Sequence, residues 1–355
     1  MKKIKIAFVG CGKVANHYKS LMIKNPISNI QVIAACDKNI SVAKEFSKEF
    51  CENFYDDLEK MIEENKIDLA IVCSPSGMHY LQTKKIIEKG INAIVEKPLT
   101  LTVKQSEVLN NLAKEKKVLL NVAFQNRLNP AVKALKKAFS ENRFGKIVTS
   151  TVRLRWCREQ EYYNDEWHGK WLNDGGVINQ QAIHHIDAFN WIVGPVDKVC
   201  SLSANRLNRL EAEDTFTAVL KLKNGGLGTI EATTAARPED FEASISVVGE
   251  KGMVEVGGIA LNEIKKWKFV NPIQSDKNAI KNYSIEVPNG FGLSHLILLK
   301  DLTNILVNSE KKDVVSAEDS IKTTQLIHAL YKSDETKSWI NLDDNPVSSR
   351  LGKDN

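Results

Sequence analysis

Two periods of hydrophobic positions divide the chain. In its first third, short apolar runs at Ile4 to Val9, Gln31 to Cys36, Leu69 to Cys73, Asn92 to Val95 and Val118 to Ala123 predict buried strands. Helical stretches fall between them, near Ile40 to Phe50, Tyr55 to Glu64, Tyr80 to Lys89 and Val103 to Glu115. Strands that alternate with helices build a parallel sheet, and the carboxyl ends of such strands carry the loops where ligands bind. Beyond a linking helix at Pro130 to Phe139 the segments lengthen and glycine turns separate them: Ile147 to Trp156, Val199 to Asn205, Thr215 to Leu222, Leu227 to Thr234, Ser244 to Gly249 and Gly252 to Val256. With Lys223 to Gly226 and Gly249 to Gly252 as hairpin turns, this half predicts an antiparallel sheet. Helices at Leu293 to Val307 and Ala317 to Lys332 precede a polar tail expected to fray.

The stretch DGGVINQQAIHHID, Asp174 to Asp187, sets two glycines before what reads as one helix packed on that second sheet. At about 100° per residue, Ile178, Ala182, Phe189 and Val193 make an apolar stripe for the core. Gln180, His184 and Asp187 share the opposite side, where solvated groups or a cleft lining belong. His185 falls about 60° from Ala182, on the edge of the stripe, so His184 is the candidate for chemistry and His185 is assigned to packing.

The first strand passes directly into GCGKVA, Gly10 to Ala15. In a strand–turn–helix setting the first glycine allows the turn, Gly12 lets a pyrophosphate approach the backbone, and Ala15 permits close packing of helix on strand. The N–H groups opening the helix, at Lys13 and Val14, suit phosphate. The second strand ends in Asp37, the position of an acid that hydrogen-bonds the adenosine ribose and disfavours a 2′-phosphate. Strand, glycine motif, helix, strand and acid together specify a dinucleotide site, and NAD rather than NADP. Further strand ends carry Ser74, Pro75 and His79 in the loop SPSGMH, then Glu96, Lys97 and Pro98, then Gln125 to Arg127. A lysine at the end of a buried strand, held extended by the following proline, is an unusual placement.

Composition narrows the class. At 355 residues with 43% hydrophobic positions, the chain fits two domains with sizeable cores. The fold class is α/β: a Rossmann dinucleotide-binding domain over residues 1–123, then an α+β domain on a largely antiparallel sheet over residues 124–355. A formal charge of +5, from 49 basic against 44 acidic residues spread along the sequence, shows no stripe for nucleic acid and suits an anionic small molecule. Six cysteines stand singly without a CxxC pair, which implies a reducing compartment and no zinc site. The opening MKKIKIAFVG reads as a first strand rather than a signal peptide. No stretch approaches the roughly 20 apolar residues that span a bilayer, so the cytoplasm is the expected location, with no membrane partner.

The ordered set GCGKVA, CSPSGMH, EKP, QNR and GGVINQQAIHHID resembles the Gfo/Idh/MocA oxidoreductase family. Within it, RWCREQEYY (Arg155 to Tyr163), HGKW (His168 to Trp171), EDTF (Glu213 to Phe216), GEKGMVEVGGIALNEIKKW (Gly249 to Trp267) and GFG (Gly290 to Gly292) look like the UDP-N-acetyl-2-amino-2-deoxyglucuronate 3-dehydrogenases of bacterial surface-polysaccharide biosynthesis. That resemblance implies NAD-dependent oxidation of the 3′-hydroxyl of a UDP-linked N-acetylated uronic acid, preparing the carbon for a transaminase. It implies a homotetramer packed through the open faces of the second-domain sheets, and recycling of bound NADH by 2-oxoglutarate. The family's catalytic lysine falls on Lys97 and its active-site histidine on His184. Gly10, Gly12, Lys13, Val14, Ala15, Asp37, Ser74, Pro75, His79, Glu96, Lys97 and Gln125 form the expected cofactor set. Lys97, Arg158, Tyr163, Trp171, Asn179, Gln180 and His184 form the expected substrate set.

Many relatives carry an aspartate where this chain has Gln180. Its absence removes a carboxylate that could share a proton with the histidine, and a neutral amide suits an amide-bearing sugar. A histidine with a pKa near working pH suits proton removal from the carbinol, and Lys97 would polarise the oxygen as charge develops; which of the two takes the proton stays open. Arg155 and Arg158, followed by Tyr162 and Tyr163, offer forks for a carboxylate, while Trp167 and Trp171 could wall the sugar or uracil. Rival readings are an NAD-dependent glycoside hydrolase, a non-catalytic NAD sensor, and a dehydrogenase of a free sugar or inositol.

Overall fold

The computed structural model describes residues 3–310 and 312–352 and divides the chain into two compact units, Met1–Ala123 with Leu293–Ile321 and Phe124–Gly292 with Lys322–Asn355. In the first unit β1 (Ile4–Val9), β2 (Ile30–Cys36), β3 (Asn53–Tyr55), β4 (Leu69–Val72), β5 (Asn92–Val95) and β6 (Leu120–Val122) form one sheet in the order β3-β2-β1-β4-β5-β6. All its pairings are parallel. Helices α1 (Lys13–Lys24), α2 (Ile40–Ser47), α3 (Leu58–Glu64), α4 (His79–Glu88) and α5 (Val103–Lys116) connect successive strands. This is the Rossmann strand order, with its switch point between β1 and β4. Helices cover both faces of the central strands, so Ile6, Phe8, Leu69, Ile71 and Ile94 are all fully buried, which explains why these strands read as apolar runs.

Strand β3 escaped the hydrophobic pattern because its residues are largely exposed; backbone pairing with Ala34 to Cys36 holds it. The helix expected from Tyr55 starts at Leu58, where the Asp57 carboxylate accepts from the Lys60 N–H at 2.8 Å, a side-chain N-cap.

The second unit contains β7 (Ile147–Arg155), β8 (Val196–Ala204), β9 (Thr215–Leu222), β10 (Leu227–Thr233), β11 (Glu242–Gly249), β12 (Gly252–Gly257), β13 (Glu263–Phe269) and β14 (Ile340–Asn341), in the order β13-β12-β11-β7-β10-β9-β8-β14. Only β7 and β10 pair in parallel. Strand β9 alternates strictly, with Phe216, Ala218, Leu220 and Leu222 buried and Thr217, Val219 and Lys221 exposed. One face therefore meets the core and the other is open. The helices of this unit are α6 (Pro130–Ser140), α7 (Val177–Gln180), α8 (Ile183–Val193) and α9 (Ala279–Tyr283); α8 packs on β7 and β11, and α6 on β12. The basic run Lys265 to Lys268 lies in β13, where Ile264 and Trp267 are buried and the three lysines are exposed.

Three expectations need correction. Helix α10 (Ser294–Val307) belongs to the first unit, where it packs on α1 and β1 with Leu298, Leu299 and Leu302 fully buried; residues 124–355 are therefore not one body. Helix α11 (Ala317–Thr336) follows, and the second unit resumes at Lys322.

As far as Leu351 the tail is tied down rather than frayed. Strand β14 pairs with β8, the Ser348 hydroxyl donates to Glu335 at 2.5 Å, Arg350 pairs with Asp334 at 2.9 Å, and Leu351 is buried. Finally, the helix expected as one piece after Gly176 is two. The Ala182 N–H reaches back five residues to the Val177 carbonyl at 2.8 Å, and α8 starts afresh with His185 N–H on the Ala182 carbonyl at 2.9 Å. That wider turn breaks the angular register assumed between Gln180 and His184.

Candidate active site

In the first unit, the end of β1 turns sharply at Gly10, which has φ +86°; a Cβ there would stand 2.6 Å from the Ser74 backbone nitrogen. Only glycine lets the ends of β1 and β4 approach so closely. A Cβ on Gly12 would meet nothing within 4 Å, so the backbone at the start of α1 lies open on that side, as a pyrophosphate approach requires. Lys13 is exposed, Val14 half-buried and Ala15 fully buried against the sheet. Asp37 accepts from the Cys11 N–H at 2.9 Å and from the Asn39 N–H at 3.0 Å. It thus braces the glycine loop from the end of β2.

The loop after β4 holds Ser74, whose hydroxyl donates to Gln82 at 2.5 Å, and Pro75, which leads into a short 3-10 helix. His79 is buried, its Nδ1 2.7 Å from the Pro98 carbonyl and its Nε2 2.9 Å from the Ser74 carbonyl. Burial pushes its pKa down, so the ring is neutral and donates to one of these two carbonyls. Glu96 is buried at the end of β5, 3.3 Å from His295 Nε2, and Lys97 beside it is half-buried.

In the second unit Gln125 opens a 3-10 helix, Gln125–Leu128. Its buried Oε1 has no hydrogen-bond partner among the described residues. Arg127 meets Asp187 through two hydrogen bonds of 2.7 Å, and Thr323 donates to the same carboxylate at 2.7 Å. Asp187 is therefore buried structure rather than part of an open polar face. His184 is half-buried, edge-on to Phe124 at 6.2 Å. Its neighbour His185 is buried, has no partner for either ring nitrogen among the described residues, and stands edge-on to Trp156 at 5.8 Å. Burial pushes its pKa down to about 4, which makes it a neutral packing residue.

Asn179 and Gln180 are both buried on α7. The Asn179 amide donates to the Asp174 carbonyl at 2.5 Å, closing the turn through Gly175. Tyr163 is buried with its hydroxyl 2.7 Å from that of Thr234, and Trp171 packs edge-on to Tyr331 at 5.0 Å; these two side chains are built into the core. The two arginine candidates differ. Arg155 spends Nε and Nη2 on Glu231 and Nη1 on Glu242. Arg158, stacked on Trp156 at 4.9 Å, uses Nη1 alone, on Asp240 and the Cys157 carbonyl, and among the described residues its Nε and Nη2 make no hydrogen bond.

Sequence reasoning missed Glu213. Its backbone carbonyl accepts from the Val177 N–H at 2.9 Å, and its Oε1 accepts from the Ile178 N–H at 3.2 Å and the Tyr331 hydroxyl at 3.0 Å. A Cβ on Gly176 would fall 2.1 Å from this carboxyl group, so the glycine before α7 makes room for it. Glu213 thus holds the segment that carries Asn179 and Gln180. An acid leading into a strand gave no local signal of that duty. Burial raises its pKa to about 8, against the donors that lower it.

The sheet order, the open glycine loop and the braced acid define a dinucleotide-binding enzyme. Residues 4–124 match the NAD-binding Rossmann fold of the Gfo/Idh/MocA oxidoreductases, and residues 136–342 match their C-terminal alpha/beta domain. The chain belongs to the Gfo/Idh/MocA oxidoreductase family and uses NAD. It is similar to the WlbA dehydrogenase of Chromobacterium violaceum in complex with NADH and UDP-GlcNAcA, with 32% identity, 96% of both chains covered and a TM-score of 0.89. A WlbA dehydrogenase of Bordetella pertussis with the same two ligands is 31% identical, with 96% of this chain and 98% of that chain covered and a TM-score of 0.90. The D-glucoside 3-dehydrogenase of Escherichia coli is 24% identical over 361 residues, spanning 96% of this chain and 97% of the relative. Among the described residues no cluster could hold a metal ion, and no helix is long and apolar enough to cross a membrane.

Two outcomes follow from this geometry. Asp37→Ala should narrow the preference for NAD over NADP mainly by weakening NAD; comparable kcat/KM with both cofactors in the unmutated enzyme would refute the assignment of Asp37. Glu213 titrates near 8 when folded against 4.5 in the unfolded chain, so the native state holds the extra proton between those values and stability falls as pH rises through that window. Glu213→Gln removes this loss, and its melting temperature relative to the unmutated protein should climb between pH 5 and pH 9. A pH-independent difference speaks against a buried neutral acid.

Proposed function

We propose that the protein oxidises the 3′-hydroxyl of UDP-N-acetyl-2-amino-2-deoxyglucuronate to the 3-keto sugar nucleotide, in bacterial surface-polysaccharide (O-antigen) biosynthesis in the cytoplasm. The carrying observation is the likeness at 31–32% identity, over nearly the whole chain, to two dehydrogenases that hold NADH and UDP-GlcNAcA. Arg158 supports the reading from within. Its unspent Nε and Nη2 form a donor edge that suits a carboxylate, whereas the hydrogen bonds of Arg155 make it part of the sheet.

NAD supplies the hydride acceptor. The C3 hydrogen leaves with its electron pair, the hydroxyl proton goes to a base, and the products are a ketone, NADH and a proton. His184 and Lys97 are the residues proposed for this work, one to take or relay the proton and the other to stabilise negative charge on the oxygen. His185, buried and uncharged, takes no part. Asn179 and Gln180, presented by α7, are proposed to bind the sugar. Tyr163 and Trp171 contribute shape through the core packing that holds this region.

We also propose a homotetramer joined through the open face of the second unit's sheet, where Leu202, Val219, Leu227 and Val248 are exposed beside a row of threonines. 2-Oxoglutarate is the proposed oxidant of bound NADH.

Incubation with NAD and 2-oxoglutarate, followed by mass spectrometry, should show a 3-keto product from the UDP-linked uronate and little from UDP-N-acetylglucosamine. A sugar without the carboxylate leaves the Nε and Nη2 edge of Arg158 without an acceptor, and Arg158→Ala should raise KM for the uronate and shrink the discrimination. Lys97→Ala and His184→Ala should each lower turnover by about a hundredfold or more, and His185→Ala much less. Equal conversion of the two sugars, or of neither, removes the uronate assignment. Release of a free sugar without net NADH would point to a hydrolase instead.

A further inference from the structure

Lys97 leaves β5 between two buried residues, each of which is held by a buried histidine. On one side the Glu96 carboxylate stands 3.3 Å from His295 Nε2, with side-chain exposures of 8% and 1%. Burial alone would raise the pKa of Glu96, yet His295, with Lys97 and His79 nearby, holds it below the usual carboxylate range. The His295 ring is wedged edge-on against Tyr18 at 4.8 Å and His17 at 5.2 Å, both on α1, the helix that opens from the glycine loop. On the other side, the neutral His79 ring sits between the Pro98 carbonyl at 2.7 Å and the Ser74 carbonyl at 2.9 Å and donates to one of them, and Ser74 supplies the backbone against which Gly10 closes. Both supports of the lysine therefore lead back to the dinucleotide loop.

We propose that His79 and His295 are positioning residues, which fix the backbone on either side of Lys97 relative to the dinucleotide loop. The inference rests on the reading of Lys97 given above. A lysine ammonium rides on four rotatable bonds and carries much conformational entropy. Its placement over a reacting oxygen is only as good as the placement of its Cα. Misplacement by 1 Å in such a site costs about a hundredfold in rate. Each histidine touches a neighbour of Lys97 on a buried path, so neither needs contact with substrate to act.

The test is a double-mutant cycle on the full-length enzyme with NAD and the UDP-linked uronate. His295→Gln and His79→Gln should each lower kcat by about tenfold or more. In His295→Gln, at a position outside the expected cofactor set, affinity for NADH, read by its fluorescence, should change much less. In a Lys97→Ala background the same changes should cost almost nothing further, because they act through the missing side chain. Equal losses with and without Lys97 would overturn the inference while leaving Lys97 catalytic. Full turnover by Lys97→Ala itself would remove the reading on which the inference rests.

A second readout needs no substrate. Acylation of the Lys97 amine by acetic anhydride, followed by mass spectrometry, should change its rate severalfold in either variant, while exposed Lys13 keeps its rate. An unchanged Lys97 rate in both variants overturns the proposal even if no sugar is turned over. If one variant fails to fold, the other carries both readouts.

Discussion

In the second unit the buried ion pair between Arg127 and Asp187 constrains the segments around it. Both groups are buried and the two hydrogen bonds are short, so neither charge can be removed alone without stranding the other in a poorly solvated interior. The pair joins the segment leaving β6 to α8 and, through Thr323, to α11. Gln125 lies two residues before one partner, and His184 three residues before the other. A structural interaction of this kind sets where two proposed ligand-facing residues can stand, although it touches no ligand itself. Arg127 also lies over the rings of Trp191 and Phe124, at 5.4 and 5.9 Å, which adds cation–π contacts to the ion pair.

The first unit depends on a different constraint, the absence of a side chain. At Gly10 the chain needs a positive φ and room for the Ser74 backbone at once, and both demands are met by removing Cβ. The consequence reaches further than the turn. The Ser74 carbonyl faces the buried His79 ring, which also packs on the Pro98 carbonyl, so the loop is linked to the residues around Lys97 through that ring. The glycine loop and the backbone beside Lys97 are in this way joined through His79.

The two arginines after the first strand of the second sheet show how one residue type divides its labour. Arg155 saturates its fork on Glu231 and Glu242 and stitches neighbouring strands together. Arg158, three residues on and beyond the strand end, stacks on aromatic rings and keeps an edge of donors. Sequence spacing treats them alike, and only their partners separate them. His184 and His185, which helical angle already separated, also differ in the fold, one half-buried and the other sealed beside Trp156.

What the sequence by itself determined is what short-range physics controls. The alternation of strands and helices, the glycine turn with its acid at the end of β2, the hairpins around Gly226 and Gly249, and the packing role of His185 all follow from periodicity, φ preference and spacing within a few residues. Tertiary structure decided the rest, because the determining partners lie far away along the chain. Asp187 became an ion-pair anchor because Arg127, sixty residues earlier, meets it. Glu213 came to hold α7 from thirty-five residues away. The break at Gln181 and Ala182 separates helices whose apolar positions still suggested one stripe. Strand β3 shows no apolar run because its pairing is carried by the backbone. Helix α10 joined the first unit because its leucines found α1 and β1, and the tail was ordered by Asp334 and Glu335. Contacts of that range leave no periodic trace in the sequence, and the burial that makes them strong exists only once the chain has folded.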